Sequence, residues 1–398
     1  PMTRRRFLQL AGLTAGGMAL AACAAPVAPA GQASSQAGAG ASSASTTLRY
    51  RTWHARAQSE GDSAWYDWLT ENYKDATIEY EFVPFGAEYI QKVLADSAAG
   101  TPPDLLHSSI IWAREFYDRG VLLDLDDYIS TTPELAADQF YGEATNSYRS
   151  KDGKYYGVPW EGPDSSIIAV NSKMLQEAGF DPKGEDIKTW DNFIEAAKAL
   201  TVKEGDEVTR AGYLIPDHRY IEFFNSWLVS NGGAMSDPEF SKATFNDEKG
   251  LQVLQQQLDL LNKDQVSFAI SPERQDEQLF LQEKAAMIHA GTWSTAQFED
   301  QKPEGFEYWY IIFPQGPQGA GKAGTTWSNM FVLPKATPNP DAAWALMKYC
   351  TTPPVVITRF ELSTRTTPHK AIFESAKWDE VLQRAPQRAV TIPAAEAG

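Results

Sequence analysis

The chain has 398 residues, 12% aromatic and 22% charged, with a formal net charge of −17. A surface this acidic repels nucleic-acid phosphates, and two cysteines, Cys23 and Cys350, support neither a disulfide framework nor a thiolate metal cluster. Setting aside residues 1–47 leaves 351 of the 398 residues, more than one hydrophobic core comfortably holds, so two lobes are expected.

Pro1 is expected to lie ahead of the natural start, read at Met2. In "TRRRFLQLAG", Thr3 to Leu8 fit a twin-arginine export address, and the apolar run Leu8–Ala22 is too short to span a bilayer. The run ends in "LAAC", which resembles the lipobox of a bacterial lipoprotein with Cys23 as the lipidated residue. The alternative is an ordinary cleaved secretory signal with an incidental cysteine. Either way the mature protein lies outside the cytoplasm, and loss of the three arginines in residues 1–22 takes its charge from −17 to −20. Residues 24–47, "AAPVAPAGQASSQAGAGASSASTT", carry no charge and almost no bulky side chain. Nothing there offsets the entropy of ordering, so the segment reads as a tether with a reach of roughly 27 Å.

Beyond the tether, "TLRYRTW" places Leu48, Tyr50 and Thr52 on one face of a strand, and "ATIEYEFVPF" does the same with Ile78, Tyr80 and Phe82. Between them "SAWYDWLTENY" spaces Trp65, Trp68, Leu69 and Tyr73 as a helical stripe. "EYIQKVLADSAAG" is a helix stopping at Gly100, and "PDLLHSSI" a third strand. Strands separated by helices predict a parallel sheet with crossovers. Ligands bind such sheets beyond the carboxyl ends of the strands, which singles out the loops 53–58 and 107–112.

Further on, "SSIIAVN" reads as a strand, "SKMLQEAGF" as a short helix, and "TWDNFIEAAKAL" as a helix capped by Thr189 with Asp191 in its first turn. "AGYLIP" is a predicted strand, and "YIEFFNSWLVSNGG" a helix ending at its glycines. Leu251, Leu254, Leu258 and Leu261 mark an amphipathic helix begun at Asn246. "DAAWALMKYC" spaces Trp344, Met347 and Cys350 three apart, which predicts a buried thiol.

Three motifs invite chemistry. "GPQGAGKA" at 316–323 matches the start of a phosphate-cradling loop, but Ala323 replaces the Mg²⁺-binding hydroxyl and an apparent strand follows where a helix is needed. The five histidines, His54, His107, His218, His289 and His369, show no metal-ligand spacing, so no metal and no cofactor is expected. Glu161 and Asp164 could form a hydrolase carboxylate pair only at a defined separation, which sequence does not supply. In "AAMIHAGTWSTAQF", Trp293 is either a core residue or a flat wall for a ligand.

From "GKYYGVPWEGPDSSIIAVNSKMLQEAGFD" through "TWDNFIEAAKAL" the chain resembles the extracellular solute-binding protein family of ABC importers, particularly its sugar-binding, maltose-type branch. The matching elements are Tyr156-Gly157-Val158-Pro159, Asn171 and Lys173 before the Ala178-Gly179 turn, and Thr189-Trp190. "EKAAMIHAGTW" and "ATPNPDAAWALMKYCTTPP" resemble the family's later strand and its lobe-one helix.

This resemblance implies an α/β periplasmic-binding-protein fold of two lobes, each a mainly parallel sheet flanked by helices, with the ligand cleft between them. It implies lobe one at 48–163 plus 315–351, lobe two at 164–314 plus 352–398, and chain crossings near 161–166, 309–316 and 350–355. Relatives continue for several helical turns after "APQRAVTIP", so lobe two is expected to be trimmed or cut short. The implied activity is non-catalytic capture of a di- or oligosaccharide for ABC permease subunits, by a monomer held at the outer face of the cytoplasmic membrane through its lipid anchor. Arg56, Arg219 and Arg365 motivate an alternative anionic solute such as a sugar acid or glycerol phosphate, and a secreted carbohydrate-active enzyme is a further alternative.

In the maltose-type branch a tryptophan after a strand-ending glycine lies against the sugar, and Gly291-Thr292-Trp293 occupies that place. Asp164 falls near a cleft carboxylate of that branch. Trp53, His54, Arg56, Ser108 and Ser109 are expected to face the cleft from lobe one, Asp217 and Arg219 from lobe two, with Trp327 and Asn329 following the return crossing.

Overall fold

The computed structural model describes residues 46–56, 59–141, 148–215, 221–237, 241–268, 275–319, 321 and 324–397. All of them belong to the contact unit Ser45–Gly398.

Strands β1 (Thr46–Thr52), β2 (Ala76–Phe82) and β3 (Leu105–Ser108) alternate with helices Glu60–Asn72 and Ala87–Ala98 and pair in parallel in the order β2-β1-β3, as the sequence pattern predicts. Leu48 and Tyr50 enter the core from one face of β1. Arg51, on the other face, is fully buried and pairs with Glu81 at 2.9 Å and with Asp96. Ser59 caps the first helix by accepting from Asp62 N, and Gly100, at φ +72, follows the end of the second.

The organising element is β4 (Val158–Asn171), buried along all 14 residues. β5 (Val202–Glu204) and β6 (Glu207–Arg210) form a separate hairpin. The later part of β4 pairs antiparallel with β7 (Met287–Gly291) and β8 (Tyr308–Ile311). Its first part pairs with β9 (Thr326–Val332), which in turn pairs with β3. The sheet therefore runs β2-β1-β3-β9-β4-β7, with β8 also on β4.

Side-chain alternation turns this sheet into two three-layer halves. Near its start, Leu105 and Phe331 share a core with Leu48, Trp160 and Leu346, while Leu106, Met330 and Val332 face another with Phe116 and Tyr148. Along β4, Ile168 and Val170 join Phe193 and Trp227 on one face, and Ile167 and Ala169 join Phe280 and Tyr310 on the other. A strand buried on both faces is apolar at successive positions, as "IIAV" at 167–170 is.

Thr189 caps helix Trp190–Leu200 as expected, accepting from Asn192 N, and Cys350 is a buried free thiol in helix Pro340–Thr351. Several details differ from the sequence pattern. "AGYLIP" forms single parallel bridges, Ala211↔Ala285 and Leu214↔Ile288, rather than a continuous strand. Helix Glu248–Leu258 is capped by Asp247, not Asn246, and buries Val253 and Gln257, with Leu260 just beyond it. Leu251, Leu254, Leu258 and Leu261 are the exposed positions, because the adjacent face carries the contact with the second half. Residues 309–316 stay within that half, Gln315 bonding Lys188 O and Gly316 bonding Ser230 O, so the chain returns along β9. Helix Pro353–Ser363 also remains with the first half, packing on helix Glu60–Asn72. Helix Thr391–Ala397 reaches β4 and β9, and Ala394 joins the second half's core.

Candidate functional site

The two halves meet where β4 and β9 run side by side: Glu161 opposite Asn329, Asp164 opposite Trp327, Ser165 opposite Thr326. The register shifts between Glu161 and Asp164, and Gly162 sits there at φ +125, a conformation that favours glycine. A Cβ at Gly162 would press on Asp164 N and Ser328 Oγ, both 2.8 Å away.

Trp293 is brought to this junction by its neighbour. Thr292 N donates to Ser165 O, Ser165 N donates to Thr292 Oγ1, and Thr292 Oγ1 donates to Pro163 O, each at 3.2 Å. The half-buried Trp293 ring lies over Gly291, where any Cβ would collide with it. Its centroid is 5.2 Å from that of Trp327, with the planes tilted by 42°. Beside this pair stands Asp164, with Asn329 Nδ2 at 3.5 Å. Burial, with the nearby Glu161 charge second, pushes the Asp164 carboxyl up to about 8. The junction thus joins flat apolar faces to a carboxyl and an amide.

On the first-half side, Trp53 stacks on His107 at 3.7 Å and meets Tyr89 and Trp112 edge-on. His54 Nε2 lies 2.8 Å from Glu161 Oε2. Glu161 is the centre of an ionic lattice: Arg359 donates to its Oε1 at 2.9 Å, and Arg365 Nη1 lies 3.5 Å from the same oxygen. Burial opposes ionisation of Glu161, but His54, Arg365 and Arg359 together hold its carboxyl well below the usual range. Arg359 also covers the Trp160 ring at 4.2 Å. Arg365 grips Asp62 with two hydrogen bonds, at 2.7 and 2.9 Å. Burial holds His107 well below its ordinary value, so it is neutral.

Two expected contacts point elsewhere. Arg56 turns to Asp67 and the Tyr66 and Tyr80 rings, because its own helix layer supplies the counter-charge. Ser109 caps helix Ile110–Asp118 by accepting from Ile111 N. Ser108 is buried, with no hydrogen-bond partner for its hydroxyl among the described residues. Asp217, Arg219 and the lipidation candidate Cys23 lie outside the described residues. Sequence reasoning missed Asp62 and Arg359 altogether. An arginine inside the apolar run "PPVVITRFELS" was the available signal, since buried arginines are paired.

Residues 44–357 match the family model described as bacterial extracellular solute-binding protein. The chain belongs to this family. Among curated relatives, an arabinooligosaccharide-binding protein of Halalkalibacterium halodurans is 26% identical over 242 residues, spanning 59% of this chain and 51% of that protein. The chain thus spans about half the length of that relative. Two solved structures share the fold. One is maltose-bound MalE3 of T. maritima, at TM-score 0.73 and 20% identity, covering 88% of each chain. The other is an ABC transporter solute-binding protein of Thermotoga lettingae bound with alpha-D-tagatose, at TM-score 0.70 and 24% identity, covering 86% of this chain and 88% of that one. The architecture is accordingly the two-lobed periplasmic-binding-protein fold.

Proposed function

We propose that this protein is the extracytoplasmic receptor of an ABC importer and captures a neutral di- or oligosaccharide, without turning it over, by closing its lobes at the β4–β9 junction. The observation that carries the reading is the Trp293–Trp327 pair beside Asp164 and Asn329. Pyranose rings present apolar C–H faces and hydroxyl edges, which call for flat aromatics flanked by a few polar groups. The relatives' sugars support the same class.

A neutral solute is favoured over an anionic one because Arg365 is neutralised by Asp62 and Arg56 by Asp67. Binding without hydrolysis is favoured because both Glu161 oxygens are already occupied, Oε1 by Arg359 and Arg365 and Oε2 by His54, so that carboxylate is not presented to a ligand as a nucleophile or base. We further propose export, lipidation at Cys23, monomeric action and delivery to permease subunits. Mass spectrometry of ligand recovered from purified protein tests the reading: intact neutral sugar is expected, whereas hydrolysed sugar or an organic anion would overturn it.

A further inference from the structure

His54 follows the end of β1, His107 lies near the end of β3, and Glu161 sits on β4. Their donor atoms all fall within 4.8 Å of one another, and all three residues are buried. Glu161 Oε2 is 2.8 Å from His54 Nε2 and 3.6 Å from His107 Nε2. Tetrahedral zinc with bonds near 2.0–2.2 Å has ligand–ligand edges of roughly 3.3 Å, so small side-chain adjustments suffice. His107 Nε2 provides an independent sign of a missing ligand: it is buried, aimed at Glu161, and has no hydrogen-bond partner among the described residues.

The surroundings are those of an oriented ligand set. His107 Nδ1 is 3.2 Å from Thr52 Oγ1, which also accepts from His54 N, and Trp53 stacks on the same imidazole. The other carboxylate oxygen of Glu161 is held by Arg359 and Arg365. Ligating histidines and carboxylates are typically fixed by such outer hydrogen bonds. We infer that His54 Nε2, His107 Nε2 and Glu161 Oε2 bind a divalent transition-metal ion of the zinc class, with the fourth position filled by a non-protein oxygen. The charge of Arg365 is offset by Asp62, whereas Arg359 opposes the cation and sets a moderate affinity. The inference does not depend on the sugar reading.

The test is equilibrium dialysis of chelator-stripped protein against Zn²⁺ alone, with Co²⁺ as a spectroscopic substitute. One Zn²⁺ per chain is expected, and Co²⁺ should give the strong visible absorption of a tetrahedral site. His54→Ala and His107→Ala, each checked for folding by circular dichroism, should each weaken Zn²⁺ binding about 100-fold or more. Thr52→Val, which leaves the ligands in place, should weaken it roughly 10-fold. Absence of stoichiometric Zn²⁺ on the folded wild-type protein overturns the inference, as does binding that none of the three substitutions alters.

Discussion

The Trp293 ring lies directly over Gly291, and only the absence of a Cβ at that residue lets it approach Trp327. Gly291→Ala should therefore swing the indole away while leaving the ring itself in the protein. We expect a loss of sugar affinity similar to that of removing the ring, on the order of 10-fold or more, the weight of a hot-spot aromatic contact. Tryptophan fluorescence of the ligand-free variant should shift as the ring leaves its place. Shifted fluorescence with unchanged affinity would mean that the ring position does not matter, and unchanged fluorescence would mean that Gly291 does not set it.

Asp164 makes stability depend on pH in an unusual direction. Its carboxyl is pushed up to about 8 by burial and by Glu161, against an unfolded value near 3.9. Between those limits the folded state holds a proton that the unfolded state lacks, so this group makes stability fall as pH rises, by up to about 1.4 kcal/mol per pH unit. Burial lowers His107, which acts oppositely: its contribution is lost as pH falls through the unfolded value near 6.5. His107 is common to wild type and Asp164→Asn, so their difference isolates Asp164. Thermal melts from pH 5 to 8.5 should show the variant gaining on wild type as pH rises. A difference independent of pH would contradict the assignment.

The Arg359–Glu161 pair is buried on both sides. Arg359→Leu leaves a buried carboxylate with weaker compensation and should cost about 3–5 kcal/mol of folding stability. Adding Glu161→Gln should recover part of that loss, because the two side chains interact directly. Denaturant unfolding of the two singles and the double measures the coupling. Strict additivity would place the pair's weight elsewhere in the lattice.

How far the sequence reached follows from the range of each interaction. The period-two patterns of β1 and β2 and the Thr189 cap depend on neighbours within a few residues and were readable directly. The resemblance offered Trp293 as a residue after a strand-ending glycine, and the structure supplies a steric reason for that glycine, since a Cβ at Gly291 would meet the Trp293 ring. Arg359 and Glu161 are 198 positions apart, and no local pattern pairs them. The leucines at 251, 254, 258 and 261 show the same limit: periodicity finds an apolar face, but tertiary packing selected the face of Val253 and Leu260 instead. Arg56 has its counter-charge, Asp67, only 11 positions away on the next helix, a local pairing that outcompetes a role at the junction.

The proposal of export and anchoring rests on the arginines at 4–6 and on "LAAC". Cys23→Ser should move the protein from the membrane fraction to the soluble extracytoplasmic fraction, because the acyl chains that hold a lipoprotein would be lost together. A variant as firmly membrane-bound as wild type would show that Cys23 is incidental.

Calorimetric titration of wild type and Trp293→Ala with neutral di- and oligosaccharides, and with their acidic counterparts, measures capture directly. A neutral sugar should bind wild type and lose roughly 30-fold in affinity, about 2 kcal/mol, when the indole is removed. The ligand-free melt should change little, because Trp293 is only half buried. Acidic counterparts should bind more weakly than neutral sugars to both proteins. Preference for an acidic solute would contradict the proposal, and so would a Trp293→Ala protein that melts far earlier while its folded fraction binds neutral sugar as wild type does.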